Sequence, residues 1–344
     1  MAGAACAHEL ASAGLQVSVY EKSRGAGGRM ATRRARFADD TGREQWLHFD
    51  HGAPGFAGEH PAFIDAVSRA ATHGLLARWE AADAWVGQPD QPNWARHLLA
   101  HAELHVQHTI CGLKRENGPW FVECTEHPHE PMGPFDGVIL AIPAIQAAAL
   151  LAPIKADWAH QARSVPQQAI WTLMAARPKE PKHGQPGLDL IRPASGPLGL
   201  IVRQDGKPGR DHTAGMAAYE EWVAHARADW TLRHLEASAD EVRATLLHAL
   251  EKVIADESQS GAARGWVHSV AHRWRYAMVS PEPPNQGDAD SWAERLFLWD
   301  PALALGVAGD AFAGQPLPHT GVQRAWLSGT ALAAKVLDAM NRSA

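Results

Sequence analysis

A small-residue helix ending at Gly14, an apolar strand at Val17–Tyr20 closed by Glu21, and a glycine-rich basic run directly after it predict an α/β fold whose first unit is Rossmann-like. From about residue 153 to residue 273 the pattern changes to short apolar runs separated by Pro and Gly, which predicts an inserted mixed α+β domain. The expected organisation is therefore a discontinuous nucleotide-binding domain over 1–60, 102–152 and 285–344, with a substrate domain over 61–101 and 153–284.

The stretch M-A-G-A-A-C-A-H-E-L-A-S-A-G suits a tightly packed helix, and Gly14 suits a left-handed C-terminal cap. In a Rossmann unit an acid about 20 residues after the glycine loop accepts hydrogen bonds from ribose hydroxyls, which is the role expected of Glu21. Gly3 would then be the last glycine of G-x-G-x-x-G. The first two glycines and their strand would precede Met1, so the first strand of the layer is expected to be missing, through a late start or a truncation, with weakened nucleotide binding as the consequence. A Gly-rich turn before any helix would give similar letters. Lys22-Ser23-Arg24-Gly25-Ala26-Gly27-Gly28-Arg29-Met30 adds weight, because glycines let backbone N–H groups approach a pyrophosphate and Arg29 can fork onto its oxygens.

The order E-K-S-R-G-A-G-G-R-M resembles the second signature of the flavoprotein group containing monoamine oxidases, phytoene desaturases and renalases, and is especially similar to bacterial renalase-like proteins. Phe49-Asp50-His51-Gly52-Ala53 resembles the D-x-G-A segment of that group. Gly306–Asp310 and Gly321–Gly329 resemble its C-terminal G-D motif and flavin-facing helix, and His272–Ala277 the strand between its two domains. The blocks span nearly the whole chain. The resemblance implies noncovalent FAD held by Gly3, Glu21, Lys22, Gly28, Arg29, Met30, Gly52, Ala53, Gly309, Asp310, Gly321 and Val322. It implies hydride transfer from a small substrate onto flavin N5, with the helix opening at Gly321–Val322 offering N–H groups to the charge that develops. A nicotinamide nucleotide, as a dihydronicotinamide isomer, is the leading substrate implied, and oxygen or another acceptor would reoxidise the flavin. Amine oxidation, or a degenerate nucleotide-binding protein without catalysis, are the alternatives.

Two departures bear on the substrate. Pro54 and Gly55 stand where the group usually continues with Gln-Tyr, and His319 falls in the segment before Gly321. His319 is a candidate catalytic residue or a loop histidine. Strand alternation puts Trp274 and Tyr276 on one face, as candidate catalytic or pocket aromatics or as core, and Arg273 and Arg275 on the other, for an anionic group or for an acidic partner.

The rest of the composition narrows the class. The 344 residues are 46% hydrophobic and 20% charged, with net charge −6, which suits a globular protein with a sizeable core and argues against a nucleic-acid surface. The basic run Arg29, Arg33, Arg34, Arg36 is the local exception, read as phosphate-binding or as a solvated loop. Cys6, Cys111 and Cys124 have neither disulfide nor zinc spacing and read as reduced core fillers, which places the chain in the cytoplasm. His127–Glu130 and His48 with His51 lack the spacing of a metal site, so no metal is expected, and Ser328 lies outside G-x-S-x-G. No apolar run reaches the roughly 20 residues of a membrane span, and the N-terminus lacks the basic start of a secretory signal.

Periodicity places helices at about Pro61–Leu76, Trp94–His101 and Ala239–Ile254, the last with Val242, Leu246, Leu250 and Val253 on one face. Trp79–Asn93 reads as irregular. Strands are expected at Leu104–Val106, Pro119–Cys124, Ala169–Met174 and Leu198–Val202. Phe135–Pro143 reads as a central strand covered on both faces, and Val106 and Ile110 as adenine neighbours or core.

Overall fold

A computed structural model describes residues 1–115, 118–179, 189–210, 218–258, 265–280, 296–312 and 321–343. Helix α1 (Ala2–Ser12) leads to β1 (Ser18–Glu21), a 3-10 turn at Gly28–Met30, and the hairpin β2 (Arg33–Ala38) and β3 (Glu44–Phe49). Then come α2 (Pro61–Thr72), the hairpin β4 (Leu76–Trp79) and β5 (Ala84–Gly87), α3 (Asn93–Leu98) and β6 (Glu103–Val106). A meander of β7 (Ile110–Arg115), β8 (Trp120–Cys124) and β9 (Met132–Phe135) precedes β10 (Val138–Leu140), α4 (Ala144–Leu151) and α5 (Ala156–Ser164). The next sheet contains β11 (Gln167–Pro178), β12 (Leu190–Ile191), β13 (Leu198–Arg203), β14 (Tyr219–Ala226) and, after α6 (Ala228–Arg233) and α7 (Ala239–Ser258), β15 (His268–Val279). The chain closes with β16 (Phe297–Asp300), β17 (Leu305–Ala308) and α8 (Gly321–Ser343).

The mixed α/β class and the Rossmann-like unit are as the sequence predicts, with α1 and α8 packed against each other. Alanines and Cys6 give α1 a nearly flush surface, buried at Ala2, Ala4, Ala5, Cys6, Ala7 and Leu10. Gly14, at φ +91°, ends the helix with a backbone conformation that a side chain would strain. The parallel layer is in two pieces. Among the described residues, β1 pairs only with β6, and β10 only with β17, both in parallel. Between them lies a cavity of about 1330 Å³, lined by Val17, Val19 and Tyr20 on one side and by Val138, Ile139 and Leu140 on the other. Here Phe135–Pro143 departs from expectation: its strand is only three residues long and Val138 and Ile139 are half-exposed, because one edge of β10 faces that cavity.

The five-stranded sheet, in the order β12-β13-β14-β11-β15, is antiparallel throughout. One face packs Trp171, Leu173, Ile201, Trp222 and Ala224 under Val242, Leu246, Leu250 and Ile254 of α7. The other face packs Met174, Ala176 and Val223 against Leu47 and Phe49 of the β2–β3 hairpin. Helix α7 carries the expected stripe, extended to Ser258.

Several expectations shift. Leu76 opens β4 instead of ending α2, and the segment read as irregular holds the β4–β5 hairpin, whose Trp79 and Val86 bury against Val202. The 61–101 segment, expected with the substrate domain, shares its core with α1: Phe63, Val67, Trp94 and Leu98 pack with Ala4, Ala7 and Val322. Cys111 is exposed, not a core filler, because β7 turns that face to solvent, whereas Cys6 and Cys124 are buried. No helix among the described residues is long and apolar enough to cross a membrane.

Candidate functional site

The sequence blocks meet around Arg29. Its guanidinium forks onto both carboxylate oxygens of Asp310, with the Nη1–Oδ2 pair at 3.0 Å. Nη1 also donates to the Ala277 carbonyl at 3.3 Å, tying the glycine-rich turn to β15. Burial alone would raise the Asp310 carboxyl, but the charge and hydrogen bonds of Arg29, helped by Arg324, hold it below the usual carboxylate range. The Ala53 N–H donates to the Arg29 carbonyl at 2.8 Å, and a Cβ on Gly52 would run into that same oxygen, so the D-x-G-A glycine is required for this close approach. Downstream, the N–H groups of Glu59 and His60 donate to Gln323 Oε1 of α8 at 2.7 and 2.8 Å.

Among the described residues, Gly28 (φ +53°) has nothing within 4 Å of where a Cβ would stand, and Gly321 only Asp310 Oδ2 at 4.0 Å. Gly309, at φ +152°, turns the chain from β17 into Asp310. Glu21 sits at the carboxyl end of β1, where open α/β sheets bind ligands, and accepts from the Ser23 N–H at 2.8 Å. Gly3, Glu21, Gly27 and Gly28 all line the large cavity. The first turn of α1 has no side-chain cap. Lys22 is exposed and Met30 is buried in the core beside α1. Val322 is buried at the start of α8. His319 lies outside the described residues.

The strand alternation expected at β15 holds. Arg273 and Arg275 both reach Glu236 on the outer face, at 3.2 and 2.7 Å, so of the two readings the acidic partner is the one observed. Trp274 lies on the opposite face, where its Nε1–H donates to the His51 carbonyl at 3.0 Å and its ring stands 4.9 Å from the His51 ring. His272 is 5.1 Å from His51, and the register sets Thr172 between His225 on β14 and His272 on β15. Tyr276 is half-buried where the β11–β15 register shifts. Burial pushes His51 down to about 4, with smaller contributions from His272 and Arg33, and pushes His225 down to about 4. These imidazoles are therefore neutral at pH 7.

A buried ionic knot, invisible in the sequence, supports the D-x-G-A segment from below. Asp50 Oδ2 accepts from Lys207 Nζ at 2.9 Å and Arg210 Nη2 at 2.8 Å, while Thr32 Oγ1 donates to Oδ1 at 2.6 Å. Arg210 also donates to the Gly87 and Pro89 carbonyls, both at 2.7 Å. Burial opposes the charge on Asp50, yet Lys207 and Arg210 hold its carboxyl well below the usual range. Desolvation lowers Lys207 to about 8 in spite of Asp50. The partners lie over 150 residues apart, so no local signal could have joined them. Among the described residues, no three His, Cys, Asp or Glu side chains gather as a metal site.

Fold and site together define a mixed α/β protein with a Rossmann-like dinucleotide-binding unit and an antiparallel sheet laid against it. Residues 1–70 match the family model of an NAD(P)-binding Rossmann-like domain. The chain superposes on a candidate protoporphyrinogen oxidase of Exiguobacterium sp. 255-15 with a TM-score of 0.64 at 12% identity, covering 98% of this chain and 96% of that one. It superposes on cyclohexylamine oxidase of Brevibacterium oxydans with a TM-score of 0.60 at 12% identity, covering 99% and 97%. Putrescine oxidase bound to putrescine gives 0.55 at 11% identity, covering 98% and 97%. The chain thus shares its fold with these three oxidases.

Proposed function

We propose that this chain is a noncovalent FAD-dependent oxidoreductase that oxidises a small substrate, in the manner of the renalase-like flavoproteins. The observation that carries the reading is the convergence of Gly28–Arg29, Gly52–Ala53, Asp310 and Gly321, from four separated stretches, at one point beside β15. The residues fit the cofactor: among the described residues, open backbone at Gly28 and Gly321, an uncapped first turn of α1, and Glu21 at a strand's carboxyl end beside a cavity of about 1330 Å³. Glu21 would take the ribose hydroxyls, and α1 and Gly27–Gly28 the pyrophosphate. FAD, when bound, supplies the two-electron acceptor at its N5.

The chain's own residues position and shield the substrate. His51, His272 and Trp274 form an aromatic wall that excludes water and orients a flat substrate, and Tyr276 follows on the same strand, half-buried. Arg29 acts in this reading as the clasp that holds Asp310 and β15 together, and orients the glycine turn through its backbone. A dihydronicotinamide isomer is the leading substrate, with oxygen or another acceptor as the oxidant. The second reading is amine oxidation, favoured by the fold shared with the cyclohexylamine and putrescine oxidases.

The test is the visible spectrum of the purified chain incubated with FAD. Flavin bands retained through gel filtration, bleached by dihydronicotinamides and not by amines, are expected. Bleaching by amines alone would establish the second reading, and a colourless folded protein would leave a nucleotide-binding protein without catalysis. Glu21→Ala is expected to lower flavin retention, and unaltered retention would remove the ribose role.

A further inference from the structure

β2 carries three arginines on alternating sides. Arg34 and Arg36 face outward and meet carboxylates, Asp90 at 3.6 Å and Glu44 at 3.3 Å. Arg33 faces inward with Ala35 and Phe37, which pack against the five-stranded sheet. It is half-buried, yet makes no ion pair or hydrogen bond among the described residues. Its cross-strand partner is Phe49, whose ring stacks on His268 at 5.8 Å. Four residues on, His272 shares that face of β15 and stands 5.1 Å from His51 and 4.7 Å from Trp274.

Among the described residues, the groups that face this seam leave the guanidinium uncompensated. On β3, Asp50 is already matched by Lys207 and Arg210, and His48 is lowered by burial and Arg34. On β14, burial raises the Glu221 carboxyl to about 8, so it is mostly protonated at neutral pH, and His225 is neutral. On β15, burial and then Arg33 lower both His268 and His272. A half-buried guanidinium with no counter-ion among the described residues costs free energy. Its planar fork suits an oxyanion, and neutral imidazoles beside it can donate further hydrogen bonds.

We propose that Arg33, with His268 and His272, forms a subsite for an anionic group of the substrate, a phosphate or a carboxylate, at the edge of the aromatic wall. The assignment rests on the reading of that wall as the substrate site. It also disfavours an ammonium there, because the Arg33 charge that acts on these histidines is itself positive.

Two measurements test it. In the first, the histidine ring resonances of the full chain are titrated with and without inorganic phosphate. Phosphate is expected to raise the midpoints of His268 and His272 in the wild type, to do so less in Arg33→Lys, and to leave them unmoved in Arg33→Gln. In the second, the FAD-loaded chain is reduced by dihydronicotinamide mononucleotide and by its uncharged riboside. KM for the nucleotide is expected to be about tenfold lower, and Arg33→Gln to bring the two together. Unmoved histidines in the wild type, or discrimination that survives Arg33→Gln, would overturn the subsite. If neither dihydropyridine reduces the flavin but phosphate still moves the histidines through Arg33, the oxidation fails and the anion subsite stands.

Discussion

β11 buries seven consecutive residues, Ile170–Ala176, between α7 and the β2–β3 hairpin, whereas β1 leaves all four of its residues half-exposed along the cavity it shares with β10. Both are strands of the same chain with apolar residues at their centres. β11 has partners on both edges, β14 and β15, so its backbone groups are paired and its two faces can each close on a layer. β1 has a partner on one edge among the described residues, and the space beside its other edge is open. A parallel layer needs both edges and both faces covered to reach the density of a protein interior. The antiparallel sheet should therefore carry the stability of the molecule, and the parallel layer its ligand-dependent part.

The largest effect that would sharpen this contrast is expected at the knot between the two regions. Asp50→Ala strands Lys207 and Arg210 in the interior and should cost about 3–5 kcal/mol in urea unfolding. An unchanged midpoint would show that the two regions do not depend on it. Next comes Glu221 on β14. Its folded pKa of about 8 exceeds the ordinary 4.5, so between those values the folded state keeps a proton the unfolded chain has released, and stability falls as pH rises. His51 and His225 act the other way only below about 6.5, losing stability as pH falls towards about 4. The difference between Glu221→Gln and wild type should therefore grow by about 2 kcal/mol from pH 6.5 to 8 in favour of the variant, and a constant difference would mean that Glu221 is charged when folded.

Matched truncations compare the regions directly. Val223→Ala in the antiparallel sheet should cost about 2 kcal/mol, and Val19→Ala beside the cavity less than about 1, because Val223 is 1% exposed and Val19 only half-buried. Equal costs would break the comparison. Added FAD should then raise the loss at Val19 if the cavity closes around the cofactor. The smallest effect is expected at the exposed pair Asp65–Arg69 on α2, where Arg69→Ala should change stability by no more than about 0.5 kcal/mol.

Local signals carried much of this molecule. Gly14, Gly28, Gly52 and Gly309 are legible because each answers a demand on the backbone, a positive φ or a close approach, that few other residues meet. The helix α7 and the β15 alternation are legible because burial on one face imposes a period. The β4–β5 hairpin is not, since its two four-residue strands are broken by Asp83 at φ +50° and stand between prolines, and what makes them strands is burial against Val202.

The sequence by itself determined the Rossmann-like class, the order of the glycine blocks and the face on which Trp274 lies, since these follow from chain chemistry within a few residues. Only the tertiary structure decided that Arg29 clasps Asp310, that Arg273 and Arg275 belong to Glu236, and that Arg33 lies on the side of His268 and His272 with no ion pair among the described residues. Charge pairing depends on which side chains burial brings within a few ångströms of each other, and that distance is set by the packing of elements up to 281 residues apart.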